Sequence, residues 1–136
     1  DGCGLILACC QAFDRAGIAA DKVCAINAHG TGTVYNDAME LTAFGSLFDG
    51  NIPPLHGIKG SVGHCLGAAG AIEVAVAARA LTEQVLPPTV GCRNPESAGG
   101  GRVGEKQQSI NGDYLLCCNS GFGGINGALV LQRVLS

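Results

Sequence analysis

An α/β fold, layered around one mixed sheet, is the class this sequence predicts, on three observations. Apolar segments of helical period alternate with short strand-like runs. Two glycine-framed histidines follow such runs, in Asn27-Ala-His-Gly-Thr-Gly-Thr33 and in Lys59-Gly-Ser-Val-Gly-His-Cys-Leu-Gly-Ala-Ala-Gly70. The chain then closes on two further strand-like runs joined through Cys118-Asn-Ser-Gly-Phe-Gly-Gly-Ile-Asn-Gly127, a glycine-rich turn suited to a final strand pair.

Each element follows from its residues. Gly4 to about Ala16 carries Leu5, Ile6, Cys9, Cys10 and Phe13 at helical spacing, and Gly17 stops it. Val23-Cys-Ala-Ile26 has strand length and delivers His29 to its carboxyl end. Asn36 is placed to cap a helix running to about Phe48, with Asp37 and Glu40 set to favour its dipole. Pro53-Pro54 breaks the chain before a strand near Leu55–Ile58, and Lys59 follows directly. From Gly63 or Cys65 to about Thr82 the chain has helical length and is apolar on nearly every face, which predicts a helix buried all round. Glu73 and Arg79 are its only charges, and a buried carboxylate there needs a partner. Val85-Leu86 reads as an edge strand stopped by Pro87-Pro88, and residues 91–112 as a polar, glycine-rich loop. Tyr114-Leu-Leu-Cys-Cys118 and Ala128-Leu-Val-Leu131 are the closing strands, with Phe122 in the turn between them. No internal repeat is present.

The chain's 136 residues suit a single domain, residues 1–136. A content of 47% hydrophobic against 14% charged residues is rich for that size and predicts apolar surface covered by a second copy or a further segment. A net charge of -3, with no basic run and no aromatic platform, excludes a nucleic-acid binder. No apolar stretch approaches the ~18 residues of a membrane span, and no basic-then-apolar leader suggests secretion, so a cytoplasmic location is expected. A chain that opens on Asp1 is expected to be a piece of a longer polypeptide. Eight cysteines are present, but no C-x-x-C pair, and vicinal Cys9-Cys10 and Cys117-Cys118 suit neither zinc nor an ordinary disulfide. Most lie in apolar runs and are expected to be reduced, buried thiols, with no metal site.

The chemistry sits on the histidine segments. Open α/β sheets bind ligands at the carboxyl ends of their strands, where His29 and His64 are expected. Two neutral imidazoles aimed at one point can donate to a developing oxyanion, and either can serve as acid or base. Lys59, five residues before His64, either neutralises Glu73 or holds a histidine neutral by its charge. Glycines around Phe122 either expose a backbone N–H as an oxyanion donor or simply form a hairpin. Thr31 and Thr33 either bond a ligand or satisfy their own loop. The Gly63–Gly70 segment lacks the Gly-Lys-Ser/Thr ending of a phosphate loop. His56 reads as structural, and Cys65 as a poorly exposed residue inside a helix.

Taken together, Asn27–Thr33, Lys59 with Gly63–Gly70, Leu86-Pro-Pro-Thr89, Asn94-Pro95 and Asn119-Ser-Gly-Phe-Gly-Gly-Ile-Asn126 closely resemble the carboxy-terminal half of β-ketoacyl-acyl carrier protein synthases, over essentially the whole chain. The resemblance implies a thiolase-like half, a mixed five-stranded sheet flanked by helices. It implies a decarboxylating Claisen condensation in fatty-acid or polyketide biosynthesis. In that scheme a cysteine of the absent amino-terminal lobe takes an acyl group, and malonyl-acyl carrier protein loses carbon dioxide to make the attacking carbanion. His29 and His64 then match the catalytic histidines, Lys59 the active-site lysine, and Phe122 the gating phenylalanine whose N–H helps form the oxyanion hole. Thr31 and Thr33 match contacts to the pantetheine arm, and Asp37, Glu40 and Glu73 match supporting acidic positions. No cofactor is implied, since substrates ride on the phosphopantetheine of acyl carrier protein, and the complete enzyme is expected to be a homodimer. The turn before Phe122 is one residue shorter than the Asn-Ser-Phe-Gly-Phe-Gly-Gly common in the family. A thiolase would show a Cys-x-Gly-Gly-Gly turn near the end, which Cys118-Asn-Ser-Gly-Phe does not supply. A non-catalytic chain-length partner subunit, or a half that only binds acyl thioesters, is the rival reading; survival of both histidines favours an active synthase.

Overall fold

The computed structural model describes residues 2–134, so Asp1 lies outside the described residues. In chain order the elements are α1 (Cys3–Ala16), β1 (Val23–Asn27), α2 (Val34–Leu47), β2 (Leu55–His56), α3 (Lys59–Val62), α4 (Ala69–Glu83), β3 (Val85–Leu86), β4 (Gln108–Ser109), β5 (Tyr114–Ser120) and β6 (Asn126–Gln132). The main sheet runs β2-β1-β5-β6. β1 is parallel to both neighbours, and β6 returns antiparallel to β5. The sheet is therefore mixed and flanked by helices, as expected. It has four strands among the described residues where the resemblance implies five, because Val85–Leu86 pairs with Gln108–Ser109 in a separate two-stranded sheet.

Alternation along the central strands builds a layer on each face. Leu116 and Cys118 of β5 and Ile26 of β1 point into a cluster with Leu5, Cys9 and Phe13 of α1 and Leu41 and Phe44 of α2. Leu115 and Cys117 of β5 and Ala25 of β1 point the other way, onto Ala77, Ala80 and Leu81 of α4. Gly17 ends α1 in the left-handed conformation at φ 67°, which suits a residue without Cβ.

Several expectations are corrected. α2 is capped by Thr33, through backbone only; Asn36 lies within the first turn and spends its side chain on Glu40 and Asp37. Glu40 sits beyond the first turn, so its partners rather than the dipole explain it. α4 starts at Ala69, because Gly63 (φ 76°) and Leu66 (φ 49°) hold the preceding residues out of helical geometry. It buries one stripe (Ala69, Glu73, Ala77, Ala80, Leu81), while Ala71, Ala75 and Ala78 are exposed, so it is not buried all round in this chain. The 91–112 segment is not wholly loop, since it contributes β4 and a 3₁₀ turn at Ser97–Gly99. Only Cys9, Cys117 and Cys118 are buried; Cys3 and Cys10 are exposed, because they fall off the inward face of α1. Among the described residues none of the eight cysteines forms a disulfide. Among the described residues no helix is long and apolar enough to cross a membrane, and no cluster of metal-ligating side chains occurs.

Candidate active site

The strand order brings the two histidine segments together. β1 ends at Asn27, and His29 follows two residues beyond it. Parallel pairing with β2 is continued by Ala28 N–H donating to His56 O at 2.9 Å, which sets the β2 exit, and hence Lys59, beside His29. His64 does not lie at a strand end: α3 intervenes, and the left-handed Gly63 turns the chain back. The outcome is convergence. The imidazoles of His29 and His64 stand edge to face, with ring centres 5.3 Å apart.

His29 is 5% exposed and held on every side. Its backbone N–H and that of Gly30 donate to the two carboxylate oxygens of Glu40, at 2.7 and 2.8 Å. Asn36 Nδ2 donates to Glu40 Oε2 at 2.7 Å, so the carboxylate is a brace for the histidine loop. Burial raises the Glu40 pKa, against the pull of those donors. On the ring, Lys59 Nζ donates to Nδ1 at 3.2 Å, and also to His29 O and to Glu73 Oε1. Three acceptors account for all three protons of the ammonium. Lys59 and Glu73 form a fully buried ion pair, with side chains 5% and 1% exposed. Of the two functions weighed for Lys59, the structure shows contact with both the carboxylate and the histidine.

These partners assign the tautomers. Lys59 has no acceptor to offer, so Nδ1 of His29 carries the lone pair and Nε2 the proton. His64 Nδ1 accepts from Leu66 N–H at 3.2 Å, which places its proton on Nε2 as well. The site therefore presents two imidazole Nε2–H donors. Burial, and then the Lys59 charge, lower the His29 pKa and keep that ring neutral near pH 7.

A cavity of about 650 Å³ opens beside this pair; His29 itself does not line it, though its neighbours Ala28 and Gly30 do. His64, Lys59, Thr31, Thr33, Asp37 and Glu40 all line it. The hydroxyls of Thr31 and Thr33 bond each other at 2.8 Å. Asp37 accepts from Asn36 Nδ2 at 3.2 Å. Phe122 does not line this cavity; it projects 96% exposed from a turn in which Gly123 and Gly124 adopt φ 77° and 80°. Cys65 is half-buried ahead of α4, not inside it.

A family model described as "Beta-ketoacyl synthase, C-terminal domain" matches residues 1–93. The chain belongs to that family. It is 34% identical to the 3-oxoacyl-[acyl-carrier-protein] synthase 2 of Vibrio cholerae over 98% of this chain and 34% of that protein. It is 36% identical to the tetracenomycin polyketide synthase ketoacyl synthase alpha subunit of Streptomyces glaucescens, over 98% of this chain and 32% of that one. Among solved structures, "The ishigamide ketosynthase/chain length factor" superposes with a TM-score of 0.92 at 27% identity, covering 98% of this chain and 34% of the other. The chain thus spans about a third of the length of the curated relatives it matches.

Within this ketoacyl synthase domain one site residue escaped the sequence reading. Asn119, at the end of β5, donates from Nδ2 to Glu73 Oε2 at 2.6 Å, and its Oδ1 stands 3.4 Å from His29 Nδ1. The signal was indirect: a buried Glu73 carboxylate has more lone pairs than one lysine satisfies, and an asparagine at a strand end beside it can supply the second donor. His56, read as structural, is fully buried with neither ring nitrogen hydrogen-bonded, and burial lowers its pKa to about 4.

Proposed function

We propose that this chain is the carboxy-terminal lobe, residues 1–136, of a 3-oxoacyl-acyl carrier protein synthase catalysing decarboxylative Claisen condensation. The observation that carries the reading is the edge-to-face pair of His29 and His64, 5.3 Å apart, each with its proton on Nε2. Two such donors suit one thioester oxygen. When the malonyl C–C bond to the carboxylate breaks, carbon dioxide leaves and the electron pair becomes an enolate. Its oxygen takes hydrogen bonds from both imidazoles. The carbanion then attacks an acyl group on a cysteine of the amino-terminal lobe, and the cysteine thiolate leaves as the new C–C bond forms.

In this scheme Lys59 acts through electrostatics, holding His29 neutral while Glu73 balances its charge. Glu40 braces the His29 loop, and Asp37 orients Asn36. The Phe122 N–H supplies the oxyanion donor for the acyl carbonyl, and Thr31 and Thr33 meet the pantetheine arm at the cavity. The partners are the amino-terminal lobe, acyl carrier protein and a second copy of the whole enzyme, in the cytoplasm. No dissociable cofactor takes part. Retention of both imidazoles and of the Lys59–Glu73 pair argues for an active synthase over a non-catalytic chain-length partner.

Turnover with acyl and malonyl thioesters tests this, measured with and without the amino-terminal lobe. The completed enzyme condenses and the isolated chain does not; condensation by the isolated chain would overturn the division of labour. In the completed enzyme His64→Ala lowers malonyl decarboxylation by about 10²-fold or more. Unchanged decarboxylation removes His64 from the mechanism.

A further inference from the structure

His29 Nδ1 has two opposed neighbours. Lys59 Nζ, a pure donor, lies at 3.2 Å, and Asn119 Oδ1, a pure acceptor, at 3.4 Å. The amide cannot turn over to relieve the conflict, because Nδ2 is committed to Glu73 Oε2 at 2.6 Å. A flipped amide would set its oxygen against a carboxylate oxygen inside the protein. Oδ1 is therefore fixed facing a ring nitrogen that, in the neutral tautomer, has no proton to give it.

We propose that Asn119 is a positioning residue with two tasks: its Nδ2 locks Glu73 in place against Lys59, and its Oδ1 waits as the acceptor for a proton arriving on His29 Nδ1. The inference rests on the reading of His29 as an Nε2–H donor. It adds that the same ring has an acceptor placed for a second proton, so that the imidazolium is reached once Lys59 turns its third N–H away from Nδ1. The groups facing the ring are Lys59 from α3, Glu73 from α4, Asn119 from β5 and His64 from the loop before α4, with Glu40 of α2 on its backbone N–H. Burial, then Lys59 and to a smaller extent His64 oppose protonation, while Asn119 and Glu73 favour it. Removing Oδ1 then lowers the His29 titration midpoint further, and converting the amide to a carboxylate raises it.

The test is ¹⁵N NMR titration of the histidine ring nitrogens in the full-length protein, with His29 assigned through His29→Gln. Asn119→Leu is expected to lower the His29 midpoint, and Asn119→Asp, made in a Glu73→Gln background so that no two carboxylates face each other, to raise it relative to Glu73→Gln alone, each by about half a pH unit or more. A general loosening of the fold would not move two variants of similar size in opposite directions. Midpoints unchanged in both folded variants, or shifted in one direction in both, would overturn the proposal. Should Asn119→Leu fail to fold, Asn119→Asp decides alone, by a rise or its absence. The titration requires no turnover. A protein that fails to condense thioesters yet shows the opposed shifts loses the catalytic reading and keeps this one.

Discussion

His29 and His64 face each other at 5.3 Å but are held by opposite means. His29 is buried, its backbone pinned by Glu40 and its ring by Lys59, with Asn119 and Glu73 behind. His64 is exposed, and the Leu66 N–H is the hydrogen bond its ring accepts. One member of the pair is built into the fold and the other is laid against it. The difference teaches which half of the site the chain preorganises. Damage to the His29 side should be felt as lost stability, and damage to the His64 side as lost chemistry alone.

The largest effect should come from the buried ion pair. Lys59→Met keeps most of the side-chain stem and strands the Glu73 carboxylate, 1% exposed, without its counter-charge. Breaking one side of such a pair costs about 3–5 kcal/mol. Urea unfolding should report that loss, and a second change, Glu73→Met, should restore most of it because it removes the uncompensated charge. A loss below about 1 kcal/mol for Lys59→Met would place the two histidines on an equal footing and end the comparison.

A third histidine sharpens it. His56 is as buried as His29 but has no hydrogen-bond partner on either ring nitrogen. Burial takes its pKa from 6.5 down to about 4. The unfolded chain therefore binds more protons than the folded one between those values. Stability is independent of this ring above pH 6.5 and falls as the pH drops toward 4, because the unfolded chain takes up a proton that the folded one does not. The loss reaches about 3 kcal/mol, at 1.36 kcal/mol per unit. Between pH 7 and 4 the wild type should lose up to about 3 kcal/mol of unfolding free energy relative to His56→Leu; parallel curves would mean the ring gains a partner in solution.

This is also where sequence and structure part company. Helices α1 and α2 and the strand runs Val23–Ile26 and Tyr114–Cys118 were legible, because apolar period reports them directly, and the glycine frames pointed to the meeting of His29 with His64. Asn119 was not, since an asparagine in a glycine-rich turn carries no period and its worth appears only when β5 brings it beside Glu73. α3 and β4 were missed as elements of four and two residues, too short for any pattern to register. The start of α4 was misplaced because Leu66 takes φ 49°, a conformation that leucine by itself does not announce. The exposed outer face of α4 differs from a helix buried all round because composition reports apolarity, not what lies opposite.

A smaller effect probes the route by which Lys59 is delivered. Gly60, next to it in α3, would place a Cβ 1.9 Å from the carbonyl oxygen of Val90, a contact that backbone must move to relieve. Gly60→Ala should cost about 1–3 kcal/mol, the scale of overpacking. It should also weaken binding in the cavity, which both Gly60 and Val90 line. An unchanged melting temperature would show that the loop yields freely and that Lys59 is positioned by Glu73 alone.

The smallest effect on stability is expected at His64 itself, and it is the most discriminating. The ring is exposed and packs edge-on to His29 without a buried charge of its own. His64→Ala should therefore shift the unfolding free energy by about 0.5 kcal/mol or less, the range of ordinary surface changes. His29→Ala should cost several times more, since it leaves Lys59 with one acceptor fewer in a buried network. Chemical denaturation of the two variants side by side measures the ratio. Equal losses would mean that His64 is as deeply built in as its neighbour, and the division between a preorganised half and an applied half would fail.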